Sequence, residues 1–362
     1  MRVGIDCQVL GMGVRHGFST YLSNLIKALG QRYPSSEFLE WPCRYHRGWR
    51  IPHQLWWDQG QIPWRAFSEK VDVIHAPAFS GAVCRTQPLV LTVHDLMYTR
   101  HPEWLPPQRA RWYWSEWIPF TARHASAVIV PSQASKQDLI ELGGVLAERI
   151  TVVPEAVDPL FARQPTADEV RAYRNRKELQ APYVLYVGAI DRRKDWRGLL
   201  QAFCRTRERF KDLQLVIAGV ISPGRSPLPE ELRTSGLGNE VVLQGYVPDQ
   251  ELPLLYAGAA LFVFPSWWEG FGLPPLEAMA MGVPVIAYRT SSLPEVMGKA
   301  GVLIDAPHDA TALTESMMHI LSDQRLRDEL VANELQQAAT FSWERAADQT
   351  MAVYEQCAKI AA

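Results

Sequence analysis

Two glutamates eight residues apart, Glu269 and Glu277, bracket the densest grouping of chemically capable residues in the chain. A loop bearing Gly270 and Gly272 runs into Pro274 and Pro275, and Gly282 follows a few residues later. Prolines suit the first positions of a helix and glycine suits its close, so the pattern predicts a short helix with Glu277 in its first turn. The N-terminus of such a helix offers backbone N–H groups and the positive end of its dipole to an anion. A diphosphate is the natural guest. Carboxylates beside a bound phosphate would be repelled unless each accepts hydrogen bonds from neutral donors, and sugar and ribose hydroxyls meet that requirement.

Elements must position these residues, and the rest of the chain supplies them. Short β-branched runs alternate with helix-period segments almost from end to end, the signature of parallel sheets covered by helices on both faces. Strands are expected at 2–6, 71–75, 89–93, 127–130 and 150–154 in the first half, and at 183–188, 213–219, 240–245, 260–264 and 283–287 in the second. The fold class is therefore α/β, with two doubly wound Rossmann-like domains. The length of 362 residues agrees, at roughly 150 residues per domain. The segment from Pro154 to Pro182 reads as the hinge, and the domains are placed at 1–165 and 166–341. Residues 342–362 read as an amphipathic helix with Trp343, Ala347, Met351, Tyr354 and Ala358 on one face, able to pack back on the first domain.

Composition excludes several classes. A net charge of −2 gives no general attraction to nucleic acid or anionic lipid, so such a partner would need a local patch. No apolar run approaches the roughly 20 residues that span a bilayer, and the start lacks a signal-peptide pattern, so a cytoplasmic protein is expected. The five cysteines have no metal-ligand or disulfide spacing. Nine of the 13 tryptophans crowd into residues 41–64 and 104–117, the first group among Arg44, Arg47 and Arg50. Such rings suit a sugar-stacking or lipid-interface surface, or serve equally as core filler.

Glu269-Gly270-Phe271-Gly272 followed by Glu277 resembles the paired-glutamate motif of the retaining family 4 glycosyltransferases of GT-B fold, with Ala278, Met279, Ala280, Gly282, Pro284 and Val285 in register. The resemblance covers nearly the whole chain and implies two Rossmann-like domains with a cleft between them, the acceptor domain first and the nucleotide-sugar domain second. It implies that Glu269 holds hydroxyls of the donor sugar, that the amides around Phe271, Gly272 and Leu273 meet the sugar and diphosphate, and that Glu277 holds the ribose. Arg193 and Lys194, after the strand-ending Gly188, resemble the family's diphosphate-binding basic pair. Departure of a nucleoside diphosphate builds charge on phosphate oxygens, which fixed cations stabilise. No two aspartates stand in an Asp-x-Asp spacing, so these cations and the helix dipole are expected in place of a metal. The family's further arginine is here Ala189.

In the first domain His94-Asp95 resembles the family's histidine at the cleft edge, which contacts the donor sugar or supports the reaction face. The loop 11–21, with Gly17-Phe18-Ser19, resembles the glycine-rich loop that approaches the donor phosphates or acceptor, with serine at a common glycine position. Tyr246 and Val247 are candidates near the nucleobase. Glu155-Ala156 replaces the frequent Asn-Gly pair, a variant that tilts the donor toward GDP-mannose. The implied enzyme is a metal-independent, retaining hexosyltransferase with no cofactor beyond its nucleotide-sugar co-substrate. It would act in surface polysaccharide synthesis on a saccharide or polyprenyl-linked saccharide, with peripheral contact at the inner face of the membrane and no nucleic-acid partner. A UDP-glucose-type donor and a non-catalytic nucleotide-sugar or glycan-binding subunit stand as alternatives. An epimerase or phosphorylase would need additional groups that the sequence does not display.

Overall fold

The computed structural model describes all residues except 13–16, 44–49, 79, 106–110, 180–181, 220–231, 233–236, 239, 306–308 and 362. Arg44, Arg47 and Trp49 of the first tryptophan group, and part of the loop 11–21, lie outside the described residues. The chain divides into two compact units, Met1–Ala156 with Phe341–Ala362, and Val157–Thr340. The first break falls before residue 165 because the intervening segment is anchored in the second unit. There Phe161 meets Tyr256 edge-on at 5.8 Å and Gln164 donates to the Ala280 carbonyl at 2.5 Å.

The first unit holds one parallel six-stranded sheet in the order β2-β1-β3-β4-β5-β6. Its strands are β1 (Arg2–Asp6), β2 (Glu37–Trp41), β3 (Val73–Ala76), β4 (Leu89–Thr92), β5 (Ala127–Val130) and β6 (Ile150–Val152). Alternate strand residues point to opposite faces, so one sheet fills two cores. Val3, Ile5, Val73, Val90 and Ile129 pack against helix α1 (Gly17–Arg32) and against the C-terminal helix through Trp343, Ala347, Met351 and Tyr354. On the other face Ile74, Leu89, Leu91, Val128 and Val130 pack against Trp41, Trp57, Ile62, Ala66, Tyr113 and Ile118.

Two helices on that second face widen into π turns at Trp57–Gln61 and Tyr113–Trp117. Each turn is followed by an Ile-Pro step, Ile62-Pro63 and Ile118-Pro119. Proline has no N–H and its ring crowds the carbonyl four residues back, so the ladder accommodates it by widening one turn.

The second unit has its own parallel sheet, β12-β11-β10-β7-β8-β9. Its strands are β7 (Tyr183–Val187), β8 (Gln214–Ala218), β9 (Val241–Gly245), β10 (Leu261–Phe264), β11 (Val285–Tyr288) and β12 (Val302–Ile304). Helix α2 (Trp196–Arg209) leaves the loop after β7, and helix α3 (Leu273–Ala280) leaves the loop after β10. The long helix α4 (Trp343–Ala361) ends the chain on the first unit's sheet. The strands β2 and β12, which the hydrophobic runs did not reveal, are both sheet edges.

A buried polar chain ties α4 to this sheet. The Tyr354 hydroxyl lies 2.6 Å from His75 Nδ1, His75 Nε2 lies 2.8 Å from the Thr92 hydroxyl, and Thr92 lies 3.2 Å from the Tyr21 hydroxyl. Burial pushes the His75 imidazole down to about 3, with the His94 charge acting the same way, so the ring bridges two hydroxyls as a neutral group. Tyr354→Phe strands a buried ring nitrogen and is expected to destabilise the protein by about 1–3 kcal/mol in urea unfolding. Arg32→Ala, which breaks only the half-exposed pair with Asp348, is expected to leave the urea midpoint nearly unchanged in the same measurement.

Candidate functional site

In the second sheet the chain runs outward from β7 to β8 and β9, then returns to the other side of β7 as β10. This reversal of strand order at β7 and β10 is the topological position at which such sheets bind ligands. The residues singled out from sequence come from these two loops. Gly188 ends β7 at φ +147°, and a Cβ on the neighbouring strand-end Gly219 would stand 2.1 Å from the Gly188 carbonyl oxygen. That close approach leads into a short turn, Arg192–Lys194, whose Asp191 side chain accepts from the Arg193 N–H at 3.1 Å. Asp195 then takes a left-handed conformation at φ +34° and caps α2 by accepting from the Gly198 N–H. Its other oxygen accepts from the Tyr288 hydroxyl on β11 at 2.6 Å.

The loop after β10 meets this turn at one carboxylate oxygen. Glu269 Oε1 accepts from Arg193 Nη1 at 2.9 Å, from Lys194 Nζ, and from the Ser266 hydroxyl at 2.5 Å. Oε2 has no hydrogen-bond partner among the described residues. Burial pushes the Glu269 carboxyl up, but the Arg193 and Lys194 charges and the hydrogen bonds outweigh it and hold the group down to about 2. Lys194 is only 4% exposed and lies 4.2 Å from the Phe264 ring. Burial, with the Arg193 charge, pushes it down to about 8 against the pull of Glu269.

Backbone bonds fix the same junction, with the Trp267 N–H donating to the Arg193 carbonyl at 2.8 Å and Arg193 Nη1 to the Trp268 carbonyl at 3.1 Å. Behind the loop, Ser291 accepts from the Glu269 N–H, and the Ser292 hydroxyl faces the carbonyls of Glu269 and Phe271. Ser266, Ser291 and Ser292 were not singled out from sequence. Serines in loops are common, and no spacing marks the ones that brace a neighbour.

Gly272, at φ +119°, caps α3, and Pro274 and Pro275 fall within its first turn. Neither proline has an N–H, so the backbone donors at this helix start come from Gly272 and Leu273. Phe271 is buried, which leaves its backbone as the part able to meet a ligand. Glu277 lies in the second turn of α3 instead of the first, because the helix begins at Leu273 ahead of the prolines. Its Oε2 accepts from the buried Tyr256 hydroxyl at 2.8 Å, an orienting partner that sequence reading missed. At the end of β9, Tyr246 is 58% exposed and Val247 is 7% exposed, so Tyr246 offers a side chain and Val247 only backbone.

In the first unit His94 follows β4 with both ring nitrogens engaged. Nδ1 lies 2.9 Å from Glu155 Oε1 and Nε2 lies 3.0 Å from the Pro77 carbonyl oxygen. Phe18 and Tyr21 meet the ring edge-on at 4.7 and 4.8 Å. His94 lines a cavity of about 30 Å³ with Phe18, Asp95 and Trp114, room for about one water. Asp95 accepts from the Met97 N–H and so shapes the loop backbone. Gly17 opens α1, and nothing lies within 4 Å of where its Cβ would stand. The role of Glu155 was not legible from sequence, since its partner lies 61 residues away.

Comparison with known proteins agrees with this arrangement. Residues 17–160 match the family model described as Glycosyltransferase Family 4, and residues 170–337 match that described as Glycosyl transferases group 1. The chain is 33% identical to O-antigen chain mannosyltransferase B of Escherichia coli over 296 residues, covering 81% of this chain and 76% of that protein. It is 32% identical to the serotype-specific mannosyltransferase WbdA of Escherichia coli over 226 residues, 60% of this chain and 27% of that much longer protein. In fold it is similar to sucrose-phosphate synthase from Thermosynechococcus elongatus, with a TM-score of 0.76, 22% identity and 98% of each chain covered. The two parallel sheets, the loops meeting at β7 and β10, and these matches together place the chain among the GT-B glycosyltransferases of family 4.

Proposed function

We propose that the enzyme is a retaining, metal-independent mannosyltransferase. It moves mannose from GDP-mannose to a hydroxyl of a saccharide or polyprenyl-linked saccharide in surface polysaccharide synthesis, at the inner face of the membrane. The observation that carries the reading is the single carboxylate oxygen shared by Arg193, Lys194 and Ser266 at the crevice between β7 and β10, with the second oxygen left to accept from a ligand. The mannose assignment follows the two mannosyltransferases compared above.

The roles follow from charge. An arriving diphosphate draws Arg193 and Lys194 from Glu269 toward its own oxygens, and the amides of Gly270 to Leu273 at the start of α3 add neutral donors. Glu269 then accepts from sugar hydroxyls, and Glu277, steadied by Tyr256, accepts from the ribose. As the bond from the anomeric carbon to the phosphate oxygen breaks, negative charge grows on the diphosphate where these cations stand. The acceptor oxygen forms the new bond on the same face, and its proton passes to the departing phosphate. Glu269 is assigned the positioning of the sugar, and neither the nucleophile's nor the base's part. His94, with both nitrogens engaged, serves to position the reaction face.

Three outcomes test the reading. In thermal unfolding with GDP, UDP, ADP, GDP-mannose and UDP-glucose, GDP and GDP-mannose are expected to stabilise selectively, with or without EDTA, by about 2.7 kcal/mol at a hundredfold excess over Kd. A selective UDP response would replace the donor, and no response to any of them would favour a non-catalytic subunit. Glu269→Ala is expected to lower kcat by about 100-fold or more while nucleotide Kd changes only a few-fold. Lost nucleotide affinity with normal turnover would contradict its role. Finally, Lys194 is charged below about 8 and neutral above, so GDP affinity measured by titration calorimetry should weaken as pH rises through that value.

A further inference from the structure

Four non-glycine residues among the described ones hold a left-handed backbone, Lys70, Glu178, Asp195 and Ser291. Lys70 and Glu178 each stand just past the end of a helix. There the Val71 N–H returns to the Ala66 carbonyl and the Leu179 N–H to the Arg174 carbonyl, the usual way of closing a last turn. Asp195 and Ser291 close no helix in this way. Both belong to the Glu269 junction, Asp195 directly after Lys194 and Ser291 beyond β11, in contact with the Glu269 backbone. Backbone strain persists only where the surroundings hold it, and it gathers at sites that need an exact geometry.

Ser291 occupies the first central position of a tight turn closed by the Leu293 N–H on the Thr290 carbonyl at 3.1 Å. Its φ of +45° is one that glycine adopts at no steric cost. Serine brings a hydroxyl that glycine lacks, and this oxygen accepts from the Glu269 N–H at 2.9 Å. Its neighbours grip the same loop. The Thr290 hydroxyl donates to the Ser266 carbonyl at 2.9 Å, and the Ser292 hydroxyl reaches the Glu269 and Phe271 carbonyls at 3.0 and 2.5 Å. Three consecutive hydroxyls thus hold the loop 266–271 by its backbone, and of the three only Ser291 does so from the left-handed region.

This grip matters most once a donor is bound. In the free enzyme Glu269 is fixed through Oε1 by Arg193, Lys194 and Ser266. A diphosphate competes for both cations. As they turn toward it, Glu269 keeps the Ser266 hydroxyl on its carboxylate and the three hydroxyls on its loop. A carboxylate that accepts from sugar hydroxyls then depends on that remaining support, because a small misplacement of a positioning group is costly. We propose that Ser291 is a positioning residue for the donor sugar. Its hydroxyl holds the Glu269 backbone so that the carboxylate stays aimed at the sugar when the cations leave it. This role rests on the sugar contact proposed above for Glu269.

The test titrates the full chain calorimetrically with GDP and GDP-mannose, and in parallel with UDP and UDP-glucose. The pair that binds the wild type is carried into the variants. Ser291→Gly removes the hydroxyl and the strain together, whereas Ser291→Ala removes the hydroxyl and leaves the strain. Both are expected to weaken binding of the nucleotide sugar about tenfold, while the Kd of the nucleotide alone changes by less than about twofold. Thermal unfolding of Ser291→Gly should stay close to that of the wild type, with relief of strain offsetting the lost bond, and Ser291→Ala should unfold at a lower temperature. In Glu269→Ala, which has no carboxylate to aim, adding Ser291→Gly is expected to change neither constant further. The inference is overturned if either variant binds the nucleotide sugar as the wild type does, or if nucleotide and nucleotide sugar weaken alike. It is equally overturned if the effects of Ser291→Gly and Glu269→Ala add. Binding of neither pair by the wild type would remove the donor reading and this role with it, whereas an intact wild-type response with unaltered variants would remove the role alone.

Discussion

The second unit is organised around a buried charge that needs a partner. Removing an ammonium and a guanidinium from water costs several kcal/mol per ion even after relaxation, and only close, well-directed counter-charge offsets it. Lys194 is held where that cost is incurred, Arg193 stands half-buried beside it, and Glu269 supplies counter-charge to both through one oxygen. The shape of both loops follows from this meeting. Asp195 accepts a left-handed conformation to begin α2, Gly188 and Gly219 let their strands' ends approach, and Ser291 and Ser292 hold the other loop from behind. Two cations held against one carboxylate leave a net positive charge at this junction, and the hydrogen bonds from both loops fix its shape.

Much of this was legible in the sequence because it depends on local pattern. The buried strands read as apolar runs, and the loops after β7 and β10 read as glycines and prolines at fixed offsets from charged residues. Two of the four edge strands, β2 and β12, did not. Glu-Phe-Leu-Glu-Trp in β2 buries only its last residue fully, and the three residues of β12 are largely half-exposed, so neither carries the continuous apolar run of a central strand. The turn holding Glu277 was misread because two adjacent prolines can occupy the second and third helical positions as well as the first, and sequence alone does not separate those registers. Partners distant in sequence left no local signal. Glu155 beside His94 and Tyr256 beside Glu277 become visible only once the sheets bring their loops together.

The tryptophan groups show a different limit. Their crowding was visible, but which rings point inward depends on a helical phase that changes at each π turn. An unbroken helix of 3.6 residues per turn assigns the faces of 51–68 incorrectly past Gln61. The cause can nevertheless be read, since the Ile-Pro step follows the widened turn in both helices. Proline in mid-helix is usually taken as a stop signal. Here it is a phase shift, and the helix continues to Ser68 and to His124.

His75 and His94 of the first unit hold different partners and so take different roles. His75 bridges two hydroxyls, which can donate or accept, so a neutral imidazole satisfies every partner and the ring serves to fasten α4 to the sheet. His94 faces a carboxylate on one side and a carbonyl on the other, groups that accept hydrogen bonds, and its ring is further fixed by Phe18 and Tyr21. These contacts fix the ring's position and tie the loop after β4 to Glu155 and to the Pro77 carbonyl.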